Sequence, residues 1–133
     1  MRLSLEANLE ALESGQAALA SFLDEAGASE KTAYNASLAF EELVSNVMRH
    51  AYPSGHGPID VSVELDGAEV ILTVEDQGRP FNPLLAEEPA KPASVEEAQI
   101  GGWGISLVRM AATNIEYRRI DSRNRVRVRI RNS

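Results

Sequence analysis

Two runs of alternating apolar residues, joined by the dipeptide Asp66-Gly67, constrain the fold of this 133-residue chain more than any other feature. An apolar residue at every second position places one face of a β-strand in the core, and Asp-Gly favours a two-residue hairpin turn. The runs therefore predict two antiparallel strands that share one buried face. Their apolar members are Val61, Val63 and Leu65 before the dipeptide, and Val70, Leu72 and Val74 after it.

Further elements surround this hairpin. The chain opens with a short predicted strand, and two helices follow, whose N-caps are Asn8 and Ser29 and the second of which ends near Ala51. A short helix after Gly104 and two strands between residues 115 and 130 complete the chain. This order predicts an α+β fold, a two-layer α/β sandwich with the helices on one face of a mixed, mostly antiparallel sheet.

The length suits a single domain, residues 1–133. Segment 84–100 is rich in Pro, Ala and Glu and has no clear period, so we expect it to form a lid over a functional site, with a disordered segment as the alternative. There is no Cys, which excludes disulfides and thiolate metal sites. Neither a signal-peptide core nor a stretch of membrane-spanning length is present. We therefore expect a cytoplasmic protein without a membrane partner.

Charge is distributed unevenly along the chain. The net charge is -7, but residues 109–133 contain 8 Arg against only 2 acidic residues. This basic segment has Tyr117 as its one aromatic residue, and the whole chain is acidic, so direct nucleic-acid binding is not expected. Five of the arginines alternate at positions 123, 125, 127, 129 and 131, which places them on one sheet face. They either pair across strands with Glu64, Asp66 or Glu75, or dock an acidic partner.

Glu42, Asn46 and Arg49 are spaced so that they share one face of the second predicted helix. A carboxylate one turn from a carboxamide can serve as a general base beside a hard cation, and the Asn oxygen suits Mg²⁺. The same spacing also fits a solvated polar face of an amphipathic helix. The helix alone does not decide between the two interpretations.

Two further segments carry possible ligand chemistry. Asp76 ends a predicted strand, where a carboxylate can accept a hydrogen bond from an exocyclic amine. Gly78, two residues later, lets a flat base approach the backbone. The alternative is an ordinary Asp-x-Gly turn. The glycines of segment 101–104 precede a helix, whose first N–H groups favour anions such as a triphosphate. Glycines also serve as linkers, so each segment is weak on its own.

In this order and spacing, the three segments resemble the ATPase superfamily of gyrase, histidine kinases and mismatch-repair ATPases. Within this superfamily, the chain is similar to the anti-sigma-factor serine/threonine kinases in three segments. These are Asn-Val-Met-Arg-His-Ala-Tyr at 46–52, Gly-Arg-Pro-Phe-Asn-Pro at 78–83 and Gly-Gly-Trp-Gly-Ile at 101–105. The resemblance covers nearly the whole chain. It implies the histidine-kinase-like ATPase fold, with ATP and Mg²⁺ as cofactors.

The resemblance implies a role for each matching residue. Glu42 is the implied general base, Asn46 the Mg²⁺ ligand, and Asp76 the carboxylate that reads the adenine amine. The glycine-rich segment is the implied phosphate cradle. The implied ATP-binding set consists of Asn46, Arg49, Asp76, Gly78, Phe81, Gly101, Gly102, Trp103 and Gly104.

The implied activity is that of an ATP- and Mg²⁺-dependent serine/threonine protein kinase of the anti-sigma regulatory type. Its implied partners are a sigma factor, an antagonist (anti-anti-sigma) protein that it phosphorylates, and a second copy in a homodimer. One departure concerns a threonine that the family commonly has in the last strand, which we expect Arg127 to replace. Because that hydroxyl supports the adenine carboxylate, an ATP-binding switch module without kinase activity remains the alternative.

Overall fold

The computed structural model describes residues 1–85 and 105–133. In these ranges the strands are β1 (Arg2–Glu6), β2 (Pro58–Asp66), β3 (Glu69–Asp76), β4 (Asn114–Ile120) and β5 (Arg123–Arg131), and the α-helices are α1 (Leu9–Glu25), α2 (Glu30–Asn46) and α3 (Ile105–Ala111). A π-helical turn (Val47–Ala51) continues α2, and a 3₁₀ turn (Pro83–Leu85) follows β3. Only the first two positions of the predicted lid, 84 and 85, fall in the described residues, and the glycine-rich segment 101–104 lies outside them.

Both predicted helix caps are present. The Asn8 side chain accepts a hydrogen bond from the Ala11 N–H at 2.7 Å, and the Ser29 hydroxyl accepts one from the Thr32 N–H at 3.1 Å. Each cap satisfies one of the N–H groups that have no partner within the first turn of a helix. Gly27 ends the first helix with a φ of 85°, in the left-handed region that suits glycine. Local sequence chemistry therefore fixes where α1 and α2 begin.

The strands form one sheet in the order β1-β2-β3-β5-β4, and each of these pairings is antiparallel. The hairpin between β2 and β3 is present, but its loop residues are Gly67 and Ala68, because Asp66 is still paired with Glu69. Gly67 has a φ of 60°, which is why the glycine is required at the first loop position. The turn is thus displaced by one residue from the predicted dipeptide.

Helices α1 and α2 pack on one face of the sheet, so the predicted two-layer sandwich is confirmed. The core between the layers contains the even-numbered apolar residues of β5, whereas the odd-numbered arginines lie on the opposite, outer face. Its largest fully buried side chains include Phe40, Leu19, Leu23, Leu43, Ile59 and Leu72. Among the described residues, no helix combines the length and the apolar character that crossing a membrane requires.

Ion pairs with β3 hold three of the five outer arginines. Arg125 donates to Glu75 at 2.5 Å, Arg123 lies 3.6 Å from the same carboxylate, and Arg129 lies 3.7 Å from Glu69. The expected pairing with Glu75 is confirmed. Glu69 takes the place expected for the acidic residues of β2, because β5 neighbours β3 and β2 lies one strand farther away.

Candidate functional site

The end of α2 brings two of the predicted site residues into the protein interior. Glu42 and Asn46 are only 6% and 8% exposed, so the interpretation of this face as a solvated polar surface is wrong for both. Arg49, one turn further, is exposed and donates from Nη2 to Asn46 Oδ1 at 2.9 Å. A buried carboxylate beside a buried carboxamide is unusual in a purely structural helix, because burying polar groups is unfavourable unless they are paired or used.

The backbone changes to a π-helical turn directly after Asn46. The Tyr52 N–H bonds to the Val47 carbonyl at 3.2 Å, five residues back, which is the signature of this wider turn. Sequence reasoning predicted one α-helix up to about Ala51; the helical segment ends there, but its last five residues are π-helical. Such turns are frequent at functional sites, and this one carries Arg49 and lies beside the turn that follows Asp76.

Asp76 is 4% exposed at the end of β3. Its Oδ1 accepts two hydrogen bonds, from the Gly78 N–H at 2.9 Å and from the Asn124 side chain at 2.8 Å. Burial raises the pKa of Asp76 above its ordinary value of 3.8, against the opposing effects of these hydrogen bonds and the nearby Arg119. Oδ2 accepts no hydrogen bond from residues 1–85 or 105–133, so it can receive a donor from a ligand.

Asn124, which sequence reasoning did not select, is the residue that orders this region. It is 2% exposed on β5, directly opposite Asp76, and all four of its hydrogen-bonding positions are used. Nδ2 donates to Asp76 Oδ1 and to the Arg79 carbonyl, each at 2.8 Å. Oδ1 accepts from the Phe81 N–H at 3.2 Å and from the Tyr117 hydroxyl at 2.6 Å. One side chain thus holds the Asp76 carboxylate and the loop that follows it.

The prediction that Arg127 takes the threonine position is wrong. Arg127 lies opposite Thr73, donates to its hydroxyl at 3.3 Å, and faces outward, away from the helices. Asp76 lies on the buried face, and its cross-strand neighbour is Asn124, three residues earlier. The donor that supports the Asp76 carboxylate is therefore the amide of Asn124. The support that we expected to be missing is present.

Gly78 is required by a close approach inside the protein. A Cβ at this position would lie 2.2 Å from the Ala51 carbonyl oxygen, far inside van der Waals contact. The Arg79 N–H also donates to the Ala51 carbonyl, at 2.9 Å, and Arg79 Nε donates to the His50 carbonyl at 2.6 Å. The Asp76–Gly78 turn is therefore pressed against the end of the π-helical turn.

A narrow, mainly apolar cleft lies in front of Asp76. Phe81 lines it, and the ring of Phe81 stacks on His50 with centroids 4.5 Å apart and planes inclined by 20°. The open volume is about 10 Å³, so a purine can enter only if a lining side chain shifts. A carboxylate at the end of an apolar slot suits a flat base with an exocyclic amine. The remaining lining residues are Leu43, Asn46, Val47, Val74, Pro83, Asn124 and Val126.

The structure thus brings Asn46, Asp76 and Phe81 to one cleft, with Glu42 one turn before Asn46 on α2 and Gly78 beside the cleft. The predicted members Gly101, Gly102, Trp103 and Gly104 lie outside the described residues. A larger concave surface, on the outer face of the sheet, is lined by Arg123, Arg125, Arg127 and Arg129 and by none of the predicted ATP-binding residues. No group of three or more His, Cys, Asp or Glu side chains within residues 1–85 and 105–133 could hold a metal ion. The carboxamide oxygen of Asn46 fits a hard cation that takes its other ligands from phosphate and water.

Comparison with known proteins places this geometry in a family. Residues 5–130 match the histidine kinase-like ATPase domain. A serine/threonine-protein kinase from Bordetella bronchiseptica, BtrW, is 30% identical over 92 residues, which span 68% of this chain and 65% of that kinase. The chain thus spans somewhat less than two thirds of this relative.

Solved structures show the same fold. A structure of the RsbU and RsbW domains of a Mycobacterium tuberculosis protein is similar to this one at a TM-score of 0.70 and 20% identity. The alignment covers 98% of this chain and 31% of the chain in that structure. A blue-light activated histidine kinase from Erythrobacter litoralis aligns with 92% of this chain and 42% of its own, at a TM-score of 0.58 and 18% identity. The resemblance found in the three sequence segments is confirmed, and the chain belongs to the histidine kinase-like ATPase domain family.

Proposed function

We propose that this protein is an ATP- and Mg²⁺-dependent serine/threonine protein kinase of the anti-sigma regulatory type. The observation that carries the proposal is the buried Asp76 carboxylate, held through Oδ1 by Asn124 and Gly78 at the end of an apolar cleft. Membership of an ATPase domain family supports ATP as the ligand of that cleft. The similarity to a serine/threonine-protein kinase supports phosphoryl transfer as the reaction.

In this proposal, Asp76 Oδ2 accepts the exocyclic amine of adenine, while Phe81 and the apolar lining contact the base. Asn46 would hold Mg²⁺, which when bound neutralises charge on the phosphates. Arg49 is exposed one turn from Asn46 and can reach anionic oxygens. Gly101, Gly102 and Gly104, with Trp103, complete the phosphate side by their resemblance to the family's glycine-rich loop.

Glu42 is the proposed general base. It is buried one helical turn from Asn46, so it lies on the same side of α2 as the proposed metal ligand. A carboxylate there can accept the proton of a serine or threonine hydroxyl as it attacks the terminal phosphate. The O–P bond to the hydroxyl forms, the bond to the leaving oxygen of ADP breaks, and the proton moves to Glu42. Transfer of this kind depends mainly on positioning and charge neutralisation.

The proposed partners rest on the resemblance to the anti-sigma-factor kinases and are supported by the structural similarity to a protein with an RsbW domain. We propose that a cytoplasmic homodimer of this single domain, residues 1–133, binds a sigma factor and phosphorylates an antagonist protein. The second candidate is an ATP-binding switch module that regulates a partner without phosphorylating it. This alternative is favoured by the hydrogen bond from Arg49 to Asn46 Oδ1, because the guanidinium competes with a metal ion for that oxygen.

Binding is tested by calorimetry with Mg-ADP on the wild type and on Asp76→Asn. We expect the substitution to abolish measurable ADP binding while the urea midpoint of the free protein stays close to that of the wild type. Asp121→Asn is the matched control, because Asp121 is exposed in the β4–β5 turn at a φ of 50°, which Asn tolerates. Undiminished ADP binding by Asp76→Asn would show that the cleft is not the adenine site.

Transfer is tested by incubating the protein and Mg-ATP with an antagonist candidate encoded nearby, followed by mass spectrometry. The kinase proposal predicts a mass increase of one phosphoryl group on a Ser or Thr. A protein that binds ATP well but modifies no candidate would support the switch module instead.

A further inference from the structure

Three segments of the chain converge on Tyr52, the residue that follows the π-helical turn. Its hydroxyl donates to the Pro58 carbonyl at 2.5 Å and accepts from the Gln77 N–H at 2.8 Å. Tyr52 is 8% exposed, and its ring packs against Gly57. A Cβ on residue 57 would lie 2.2 Å from that ring. The start of β2, the end of β3 and the end of the α2 segment are thus joined by one side chain.

Gln77 is the residue between Asp76 and Gly78. Its N–H is held by Tyr52, while the Gly78 N–H is held by Asp76 Oδ1. The two bonds fix successive peptide groups of the same turn, one from each side. The direction in which the Asp76 carboxylate can point depends on the position of this turn. Tyr52 and the Asp76 carboxylate therefore both hold the backbone of this turn.

We propose that Tyr52 is a positioning residue for adenine recognition. It holds the Gln77 peptide in place, so that Asp76 Oδ2 presents a lone pair to the exocyclic amine of the base. The inference rests on the proposed ATP site. It assigns to Tyr52 a contribution to the selectivity for the base, separate from its contribution to stability.

The effect is measured on Tyr52→Phe, which keeps the ring and removes only the hydroxyl. The substitution removes two hydrogen bonds, one to the Pro58 carbonyl and one from the Gln77 N–H. Loss of the second, which orients the recognition group, should weaken Mg-ATP binding by about 3- to 10-fold. ITP carries an oxygen in place of the amine, so its binding does not use the Asp76 contact and should change little. The preference for ATP over ITP should therefore fall by about the same 3- to 10-fold.

The selectivity ratio separates positioning from a structural role. A variant that is merely less stable keeps the same ratio of ATP to ITP affinity, because any unfolded fraction lowers both apparent affinities by the same factor. Tyr34→Phe is the matched control, because Tyr34 is 69% exposed on α2 and should leave both affinities unchanged. An unchanged ATP-to-ITP ratio in Tyr52→Phe would overturn the inference while leaving the proposed ATP site in place.

A second measurement does not require nucleotide. Hydrogen exchange of the Gln77 amide in the free protein should accelerate about 3- to 10-fold in Tyr52→Phe relative to wild type, because its acceptor has been removed. Equal exchange rates in the two proteins would also overturn the inference. If the wild type bound no ATP, the proposed function would fail, and the exchange rate would still report whether Tyr52 holds the turn.

Discussion

Asn124→Asp is the most direct test of the polar network around Asp76. The change is nearly isosteric, but it replaces the Nδ2 donor, 2.8 Å from Asp76 Oδ1, with a second carboxylate oxygen. The acceptor side survives, because an oxygen remains to receive the Phe81 N–H and the Tyr117 hydroxyl. The perturbation is therefore confined to the contact with Asp76 and the bond to the Arg79 carbonyl.

The magnitude follows from the distance. Two negative charges about 3 Å apart repel by about 5 kcal/mol at an effective dielectric constant near 20, and the lost hydrogen bond adds about 1 kcal/mol. Uptake of a proton by the carboxylate pair limits this penalty. We expect the free energy of unfolding to fall by about 2–4 kcal/mol at pH 7.5. Mg-ADP binding should weaken as well, since the carboxylate is displaced or protonated.

The loss should depend on pH. In the folded variant the pair has a raised pKa, whereas in the unfolded chain both groups have ordinary values, near the 3.8 of an unperturbed Asp. Between these values the folded state binds one proton more than the unfolded state, so stability increases as pH falls. The gain is at most about 1.4 kcal/mol per pH unit. Lowering the pH from 7.5 to 5.5 should restore about 1–3 kcal/mol relative to the wild type.

Urea unfolding at pH 7.5 and 5.5, followed by circular dichroism, measures both quantities. Asn114→Asp is the matched control, since Asn114 is exposed on β4 and its substitution adds the same charge outside the cleft. A stability difference from wild type that is identical at the two pH values would refute the proposed contact between residue 124 and Asp76. So would an unchanged unfolding free energy at pH 7.5.

Two further predictions concern the chemistry and the outer sheet face. Glu42→Gln should retain Mg-ADP binding but reduce phosphoryl transfer by roughly 10²–10⁴-fold, the usual contribution of a positioned base. Glu41→Gln, at the exposed neighbouring position, is the control. Equal transfer rates in Glu42→Gln and the wild type would exclude Glu42 as the base. Replacing Arg125 and Arg129 by Ser should lower the unfolding free energy by no more than about 1 kcal/mol per pair, because both arginines are 37% exposed. ADP affinity should not change, and a loss that persists undiminished at 0.5 M salt would contradict the ion-pair explanation.

The sequence predicted the elements whose signals are local. The caps at Asn8 and Ser29 each depend on a side chain and an N–H three residues away, so they can be read directly from the sequence. The hairpin was predictable for the same reason, apart from the shift of its loop by one residue. The π-helical turn after Asn46 could not be predicted in this way. It is stabilised by contacts with Gly78 and Arg79, which are about thirty residues away in the sequence.

The residue pair at the centre of the site illustrates the same limit. Asp76 could be identified from the sequence because it ends an apolar strand. Asn124, which supports it from the paired strand, lies 48 residues farther along the chain. No local pattern states which residue of β5 lies opposite Asp76. The order β3-β5-β4 was also needed, since sequence neighbours would have placed β4 beside β3. Long-range register is thus the information that the motifs lacked.

Once β5 is known to lie beside β3, alternation in β5 excludes Arg127 as the partner of Asp76. The apolar residues Val126, Val128 and Ile130 face the core, so Arg127 and the other odd-numbered residues must face outward. Asp76 is buried on the core side of β3, and directly opposed residues in an antiparallel pair project from the same face. Its partner must therefore be an even-numbered residue of β5. Asn124 is the one polar even-numbered residue between 123 and 131, so strand alternation and the demand for a hydrogen-bonding group together identify it.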